Sequence, residues 1–314
     1  MSLVSVILPA HDVAAYAGAA VRAVGAQDWP DFELIAVDDG SRDATAAAIE
    51  TAMAPIRAAG HRAVLLRQDN GGLGAARNAA LAAARGDLLL FADADDLLDP
   101  DAMRHLAQAL KAHPAARMTF PRCRHVGPGG AELGVLSPRP EGPVGAGALL
   151  ADNPIHTDTG VMLRRAALPD PPRFDTGLPS AIGLDFWLRA SAGGGACILP
   201  LSRVLVSYRR RPGQITSDWR RQKAGWERVA GRAALPAREL RAARARAGVV
   251  WATSAYQAGD HGAARRLMAG ALRADPAAAL GNGAGRIRLA AVIASLLPGP
   301  LHGALARLAN RTGS

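Results

Sequence analysis

Short apolar runs alternate with longer alanine-rich stretches through the first 125 residues. The runs lie at Val4–Leu8, Glu33–Val37, Ala63–Leu66 and Leu88–Ala92, with a fifth at Met118–Pro121. The stretches between them are of helical length, at about 13–26, 43–59, 74–85 and 100–112. Short runs without polar alternation suit strands buried on both faces, and strands alternating with helices predict βαβ units and a parallel sheet. Asp43 and Asp99-Pro100 read as helix starts, the second with proline at the first helical position.

From about 123 to 150 the pattern dissolves into Gly and Pro, as in Gly127-Pro-Gly-Gly130, and an irregular connection is expected there. A mixed region runs to about 210. It holds an apolar run at Gly160–Leu163, a helical segment near Leu184–Ala192 and strands near Ala196–Leu199 and Val204–Tyr208. Beyond 218 everything reads as helix, including apolar helices at Ala290–Leu297 and Leu301–Leu308. The segment Ala252–Pro276 is like a single tetratricopeptide hairpin, and one copy does not make a solenoid.

Composition adds class and compartment. With 314 residues, 49% of them apolar and 20% charged, the chain can build a sizeable core and is not a disordered one. Two cysteines, Cys123 and Cys197, cannot form a disulfide scaffold or a four-cysteine zinc site. The N-terminus lacks the basic and apolar regions of a signal peptide, and no apolar run is long enough to span a bilayer. A cytoplasmic protein is expected, or one peripheral on the inner face of the cell membrane. Residues 1–200 carry 17 Lys/Arg against 22 Asp/Glu, while 201–314 carry 20 against 5. A net of −5 followed by +15 implies two parts with different electrostatic tasks. The basic part lacks the interleaved aromatics of a nucleic-acid module, so nucleic acid is not expected; it reads either as a surface for anionic lipid or as an ordinary helical cap with a solvated arginine face.

The polar residues mark the site. Pro9-Ala-His-Asp12 follows the first run, Asp38-Asp39-Gly-Ser41 the second, Asn70-Gly-Gly-Leu-Gly74 the third and Asp93-Ala-Asp95-Asp96 the fourth. Ligands of open α/β sheets bind outside the carboxyl ends of the strands, so the four clusters should converge on one crevice. Neither a G-x-G-x-x-G fingerprint nor a Walker loop is present, which disfavours a dinucleotide oxidoreductase and a P-loop nucleotidase. Like unit charges 4 Å apart repel by about 4 kcal/mol at an effective dielectric near 20. Clustered aspartates are therefore tolerable when solvated, as a helix-initiating turn before Pro100, or when a hard divalent cation such as Mg²⁺ or Mn²⁺ sits among them.

Three segments, "VSVILPAHDVAAYAGAAVRAVGAQDWPDFELIAVDDGSRDAT", "NGGLGAARNAAL" and "GDLLLFADADDLLDPDAM", closely resemble the family 2 glycosyltransferases. "NPIHTDTGVMLRRAAL" and "YRRRPGQIT" resemble that family's acceptor-side segments, so the likeness covers about residues 3–217. It implies an α/β, GT-A-like (Rossmann-like) mostly parallel sheet flanked by helices, with an all-α C-terminal appendage. The implied domains are 1–217, with a nucleotide-sugar half to about 122 and an acceptor half from 123, and a basic helical region at 218–314. By the same resemblance Pro9, His11 and Asp12 line the base and ribose pocket, although the family usually has tyrosine and asparagine at the last two positions. Asp39 meets the base, Asp38 holds that turn, and Arg77 lies on the nucleotide side. Asp93 faces the ribose and Asp95 ligates a Mg²⁺ or Mn²⁺ ion, with Asp96 in support. Arg209 and Arg211 lie in the segment resembling the family's "YRxH" element, where Arg211 replaces a histidine and could clamp phosphate.

The general base is the irregular point. The family's position, six residues before Arg189, falls on Gly183. Asp185 is the carboxylate nearest to it, either as the base or as a helical i,i+4 partner of Arg189; Asp158 is the second candidate. The function implied is an inverting hexosyltransferase. It would move sugar from a nucleotide-diphosphate donor, UDP-linked, to a saccharide or lipid-linked acceptor in cell-surface polysaccharide or lipopolysaccharide assembly. The alternative is a non-catalytic nucleotide-sugar-binding or scaffold protein of the same fold.

Overall fold

The five leading apolar runs all become strands. The computed structural model describes residues 2–138, 142–168, 171–192, 197–211 and 218–281. The chain divides into two units, Met1–Gly145 with Pro154–Leu178 and Ile182–Gln214, and Ala146–Asn153 with Pro179–Ala181 and Ile215–Ser314.

In the first unit β1 (Val4–Ala10), β2 (Phe32–Asp39), β3 (Arg62–Gln68) and β4 (Leu88–Phe91) alternate with α1 (Ala14–Gly25), α2 (Thr45–Ala58) and α3 (Leu73–Ala83). Then come β5 (Leu97–Leu98), α4 (Ala102–Ala112), β6 (Met118–Val126) and β7 (Glu132–Leu136). The second unit's α5 (Ala146–Asp152) comes next in sequence, and the first unit resumes with β8 (Met162–Arg164), α6 (Ile182–Ser191) and β9 (Ile198–Arg209). The sheet order is β3-β2-β1-β4-β8-β6-β9-β5, with β7 on β6. Strands β3, β2, β1 and β4 run parallel, as do β6 and β9; β8, β5 and β7 pair antiparallel. Every residue of β1, β2 and β4 is buried, which is why these strands read as largely apolar runs without polar alternation. Alanine fits the covering helices because small side chains let a helix lie close to the sheet. Ala17 and Ala20 of α1 do so beside Val21 and Val24.

Three expectations change. The Gly/Pro stretch after 123 is not irregular throughout: β6 runs to Val126 and turns through Gly127–Gly130 into β7. The strands expected near Ala196–Leu199 and Val204–Tyr208 are one strand, β9, whose pairing with β6 absorbs the intervening residues through register shifts around Arg122; Ala196 lies outside the described residues. Helix α4 starts at Ala102, after Pro100, because the Pro100 carbonyl accepts the Asp28 N–H at 2.9 Å and is held outside the helix. Asp43 does serve helix starts, and two of them. Its carboxylate accepts from Thr45 N at 2.9 Å and from Ala14 N at 3.0 Å, meeting backbone donors that both helices leave unpaired.

The second unit is helical where described, with α5, α7 (Trp219–Arg232), α8 (Ala237–Gln257), α9 (His261–Ala274) and α10 (Pro276–Leu280). Helices α8 and α9 form the hairpin expected over Ala252–Pro276, packed through Ala245, Val249, Ala252, Met268 and Ala271. Asp218, Asp260 and Asp275 cap the helices that follow them. Trp226 Nε1 donates to the Leu150 carbonyl at 3.0 Å, and Arg246 pairs with Asp152 at 2.5 Å. The apolar helices expected at Ala290–Leu297 and Leu301–Leu308 lie outside the described residues. Among the described residues no helix is long and apolar enough to cross a membrane.

Candidate active site

Strands β1 and β4 part company just where the polar clusters begin. Their ladder ends at Ile7 and Phe91, whereas β1 stays paired with β2 as far as Ala10. One side of β1 therefore opens over its last residues, and the chain leaves β1 toward β2 on one side and returns through β4 on the other. This is the topological switch point of an open α/β sheet, where a ligand crevice forms. Pro9 occupies the opened stretch opposite Val37. It is buried within the strand, and its missing N–H is tolerated there because β4 has already diverged.

On the β2 side, Asp39 is 3% exposed. Its carboxylate accepts Gln68 Nε2 (2.7 Å) and Gly71 N (2.9 Å) at Oδ1, and Gly72 N (2.8 Å) at Oδ2. It therefore holds the Asn70–Gly72 loop, a task the spacing did not reveal. Gly40 permits that close approach. Its φ is +68°, and a Cβ there would lie 2.7 Å from the Asn70 nitrogen, so the position requires glycine. Asp38 accepts Ser41 N at 3.2 Å, as expected of a turn-holding residue, and Arg67 lies 3.4 Å away. His11 Nδ1 lies 2.8 Å from the Asp39 carbonyl, and its ring meets Asn70 Nδ2. Asp12, at φ +48°, accepts Arg42 N at 2.8 Å. That hydrogen bond is the main cause holding its carboxyl below the usual range, with the Arg42 guanidinium and His11 adding to it. The first two strand-end loops are thus fastened to each other.

Arg77 of α3 is 0% exposed, which excludes a surface role. Its guanidinium lies over the rings of Phe91 and Phe174. Nη2 donates to Asp93 Oδ1 at 2.8 Å and Nη1 to Asp158 Oδ2 at 2.6 Å, while Nε is buried without a partner. Burial opposes the charge, but the two carboxylates outweigh it and raise the Arg77 pKa. Burial pushes Asp93 up to about 6 despite Arg77, with the negative charges of Asp158 and Asp95 adding to the rise.

Asp95 presents Oδ2 to Arg211 Nε at 2.7 Å, and its side chain is 14% exposed. Asp96 faces inward. Thr157 and Thr159 hydroxyls both donate to Oδ2 at 2.8 Å and Arg209 N to Oδ1 at 2.9 Å. Burial, with Asp93 and Asp95 nearby, pushes it up to about 8. Arg209, from the segment resembling the family's "YRxH" element, is buried. It donates to the carbonyls of Asp95, Gly127 and Pro128 and stacks on Tyr16, so it ties the aspartate turn to the β6–β7 turn.

A divalent cation fits this donor set on one condition. Among the described residues no group of three His, Cys, Asp or Glu could hold a metal unaided. Mg²⁺ and Mn²⁺, however, are commonly held by one or two carboxylates together with substrate phosphates. Asp95, partly exposed, suits that arrangement; inward-facing Asp96, held by Thr157, Thr159 and Arg209, does not.

On the far side, Asp185 makes the i,i+4 pair with Arg189 at 2.9 Å, and its side chain is 8% exposed. Asp158 is more open at 22%, and its Oδ1 accepts Trp187 Nε1 at 3.0 Å.

Residues 5–170 match the sequence profile of Glycosyl transferase family 2. The chain belongs to that family. An uncharacterised protein of Mycobacterium tuberculosis is 30% identical over 214 residues, 63% of this chain and 65% of that relative. The same fold is found in S. aureus TarS, solved with UDP-GlcNAc, at a TM-score of 0.60 and 19% identity, covering 94% of this chain and 80% of that one. It is found again in the mannosyltransferase PcManGT of Pyrobaculum calidifontis, solved with GDP-Man and Mn²⁺, at a TM-score of 0.60 and 18% identity, covering 97% and 83%.

Sequence reasoning missed Thr157 and Thr159, which alternate about Asp158 and fasten its loop to Asp96. The alternation Thr-Asp-Thr was the available signal: in an extended segment it sends two hydroxyls to one face and the carboxylate to the other.

Proposed function

We propose that this chain is an inverting glycosyltransferase that takes a sugar from a nucleoside diphosphate, UDP for preference, and passes it to an acceptor hydroxyl. Assembly of cell-surface polysaccharide or lipopolysaccharide is the setting we assign to it. The observation that carries the reading is the placing of Asp39, Asp93 and Asp95 beyond the strand ends at the β1/β4 divergence, with Arg77 opposite Asp93 and Arg211 opposite Asp95. The fold shared with TarS and PcManGT, which hold a nucleoside-diphosphate sugar, and the Mn²⁺ of the latter support donor and cation alike.

In this reading Asp39 keeps one acceptor position at Oδ2 after its bond to Gly72 N, and a base N–H takes it. Asp93, fixed by Arg77, faces the ribose hydroxyls. Asp95 holds the cation, with Arg211 beside it placed to clamp phosphate oxygens. A divalent ion there supplies a Lewis acid for the charge that develops on the departing diphosphate. A carboxylate on the acceptor side removes the hydroxyl proton. Titration calorimetry with UDP and GDP, with and without Mn²⁺, followed by nucleotide release from UDP- and GDP-sugars, tests the proposal. Mn²⁺-dependent binding and release are expected. Binding without release would leave a nucleotide-sugar-binding scaffold, and no binding would overturn the reading.

A further inference from the structure

The space beside Gly183 is filled by a carboxylate from elsewhere in the chain. A Cβ at Gly183 would lie 2.4 and 2.6 Å from the Asp158 oxygens and 2.8 Å from their carbon. A side chain at 183 and the observed Asp158 rotamer therefore exclude each other. We propose that Asp158 is the general base of this site and that Asp185 is structural, an inference that rests on the transferase reading.

The Asp158 loop is built to hold the carboxylate still. Thr157 and Thr159, on either side, donate to buried Asp96 at 2.8 Å, and the Asp158 carbonyl accepts Val161 N at 3.1 Å. The carboxylate is aimed by Trp187 Nε1 at one oxygen and Arg77 Nη1 at the other. Each oxygen keeps a further acceptor position. Arg77 also holds Asp93, so one buried guanidinium fixes the distance between the acceptor-side carboxylate and the donor-side one. Among the described residues Asp185 has no such connection; its partner is Arg189 on its own helix.

The step is a single displacement. Asp158 takes the proton of the acceptor hydroxyl, and the O–H electron pair becomes the new bond to the anomeric carbon. The bond from that carbon to the diphosphate oxygen breaks, and its pair leaves with the nucleoside diphosphate. General-base catalysis is worth roughly 10²–10⁴-fold.

The test uses the full chain with Mn²⁺ and a panel of UDP- and GDP-sugars. Asp158→Asn keeps the size of the side chain and an acceptor for Trp187. It should bind UDP or GDP within about threefold of wild type, while turnover falls roughly 10²–10⁴-fold at little change in donor KM. The same paired measurement on Asp185→Asn should show a lowered melting temperature and a turnover loss under tenfold. Moving the carboxylate, with Asp158→Gly and Gly183→Asp together, should recover at least tenfold of the turnover lost in Asp158→Asn. The assignment is overturned if Asp158→Asn turns over like wild type, or if it loses nucleotide binding and turnover in equal measure and the double variant recovers nothing. If wild type binds nucleotide and releases none from any donor, the transferase reading fails and this assignment with it.

Discussion

Arg211 Nε lies 2.7 Å from Oδ2 of Asp95, so the carboxylate suited to a divalent cation already faces a positive charge. The end of β9 brings the arginine and the turn after β4 brings the aspartate. A guanidinium stays protonated under all ordinary conditions, so a cation arriving at Asp95 meets its repulsion until phosphate oxygens come between them. If Asp95 holds the cation as proposed, Arg211 would make metal and nucleotide binding interdependent.

Removing that charge should separate the two ligands. Arg211→Gln is expected to tighten Mn²⁺ binding in the absence of nucleotide about tenfold, equivalent to roughly 1.4 kcal/mol, and to weaken UDP binding in its presence. Asp95→Ala should abolish Mn²⁺-dependent UDP binding and leave the far-UV circular dichroism unchanged, since the residue stands at a strand end and outside the apolar core. Mn²⁺ titration by electron paramagnetic resonance reads the first effect and calorimetry the second. Unchanged UDP affinity in Asp95→Ala would exclude it as a metal ligand.

Asp39→Asn tests whether one carboxylate serves both loop and ligand. The amide offers one oxygen to three donors, so at least one of Gln68 Nε2, Gly71 N and Gly72 N loses its acceptor. A buried donor left without a partner costs about 1–3 kcal/mol. The melting temperature should therefore fall along with nucleotide affinity, whereas a pure ligand contact would lower affinity alone. Differential scanning fluorimetry with and without UDP separates the two.

Glu33 gives the fold an acid-side dependence. It is buried in β2, and burial raises its pKa. The Ser5 hydroxyl, the Arg85 N–H and the Arg62 guanidinium outweigh burial and hold it below the ordinary 4.5. A carboxylate whose pKa is lowered by folding contributes stability that is complete above its unfolded value and is lost as pH falls through the folded one. Urea unfolding of Glu33→Gln should show less stability than wild type at pH 7, and the gap should narrow below about pH 4.5. A gap independent of pH would mean that shape rather than charge matters at this position.

The basic charge of residues 201–314 is expected to bring the protein to anionic membranes. Each Lys or Arg near such a surface contributes about 1 kcal/mol, and the attraction decays within about 8 Å at physiological salt. On α8, Arg238 and Arg241 are exposed, whereas Arg246 is paired with Asp152. Co-sedimentation with phosphatidylserine vesicles, reversed by salt and weakened by Arg238→Gln with Arg241→Gln, is the expected result. Sedimentation indifferent to lipid charge would assign the arginines to solvation alone.

Much of the architecture was written in local pattern. Short apolar runs such as Val4–Leu8 and Leu88–Ala92, alternating with helical stretches, read as strands covered on both faces, and a parallel sheet of them puts Asp39, Asp93 and Asp95 at one edge. That much depends on periodicity and chain direction, which the sequence carries by itself. Contacts between residues far apart in the chain were decided only by folding. Nothing local distinguishes Arg77 on a helix surface from Arg77 buried between Asp93 and Asp158. The burial follows from the apolar wall that Phe91 and Phe174 supply, 14 and 97 positions further along. Arg209 was legible as a cation but not as the buried tie between the aspartate turn and Gly127, because its partners are backbone carbonyls, which every residue offers alike. Gly183 looked like a missing carboxylate for the same reason. Only the packed structure shows that Asp158, 25 positions earlier, occupies the space the glycine leaves, since two groups can exclude each other only once the chain has brought them together.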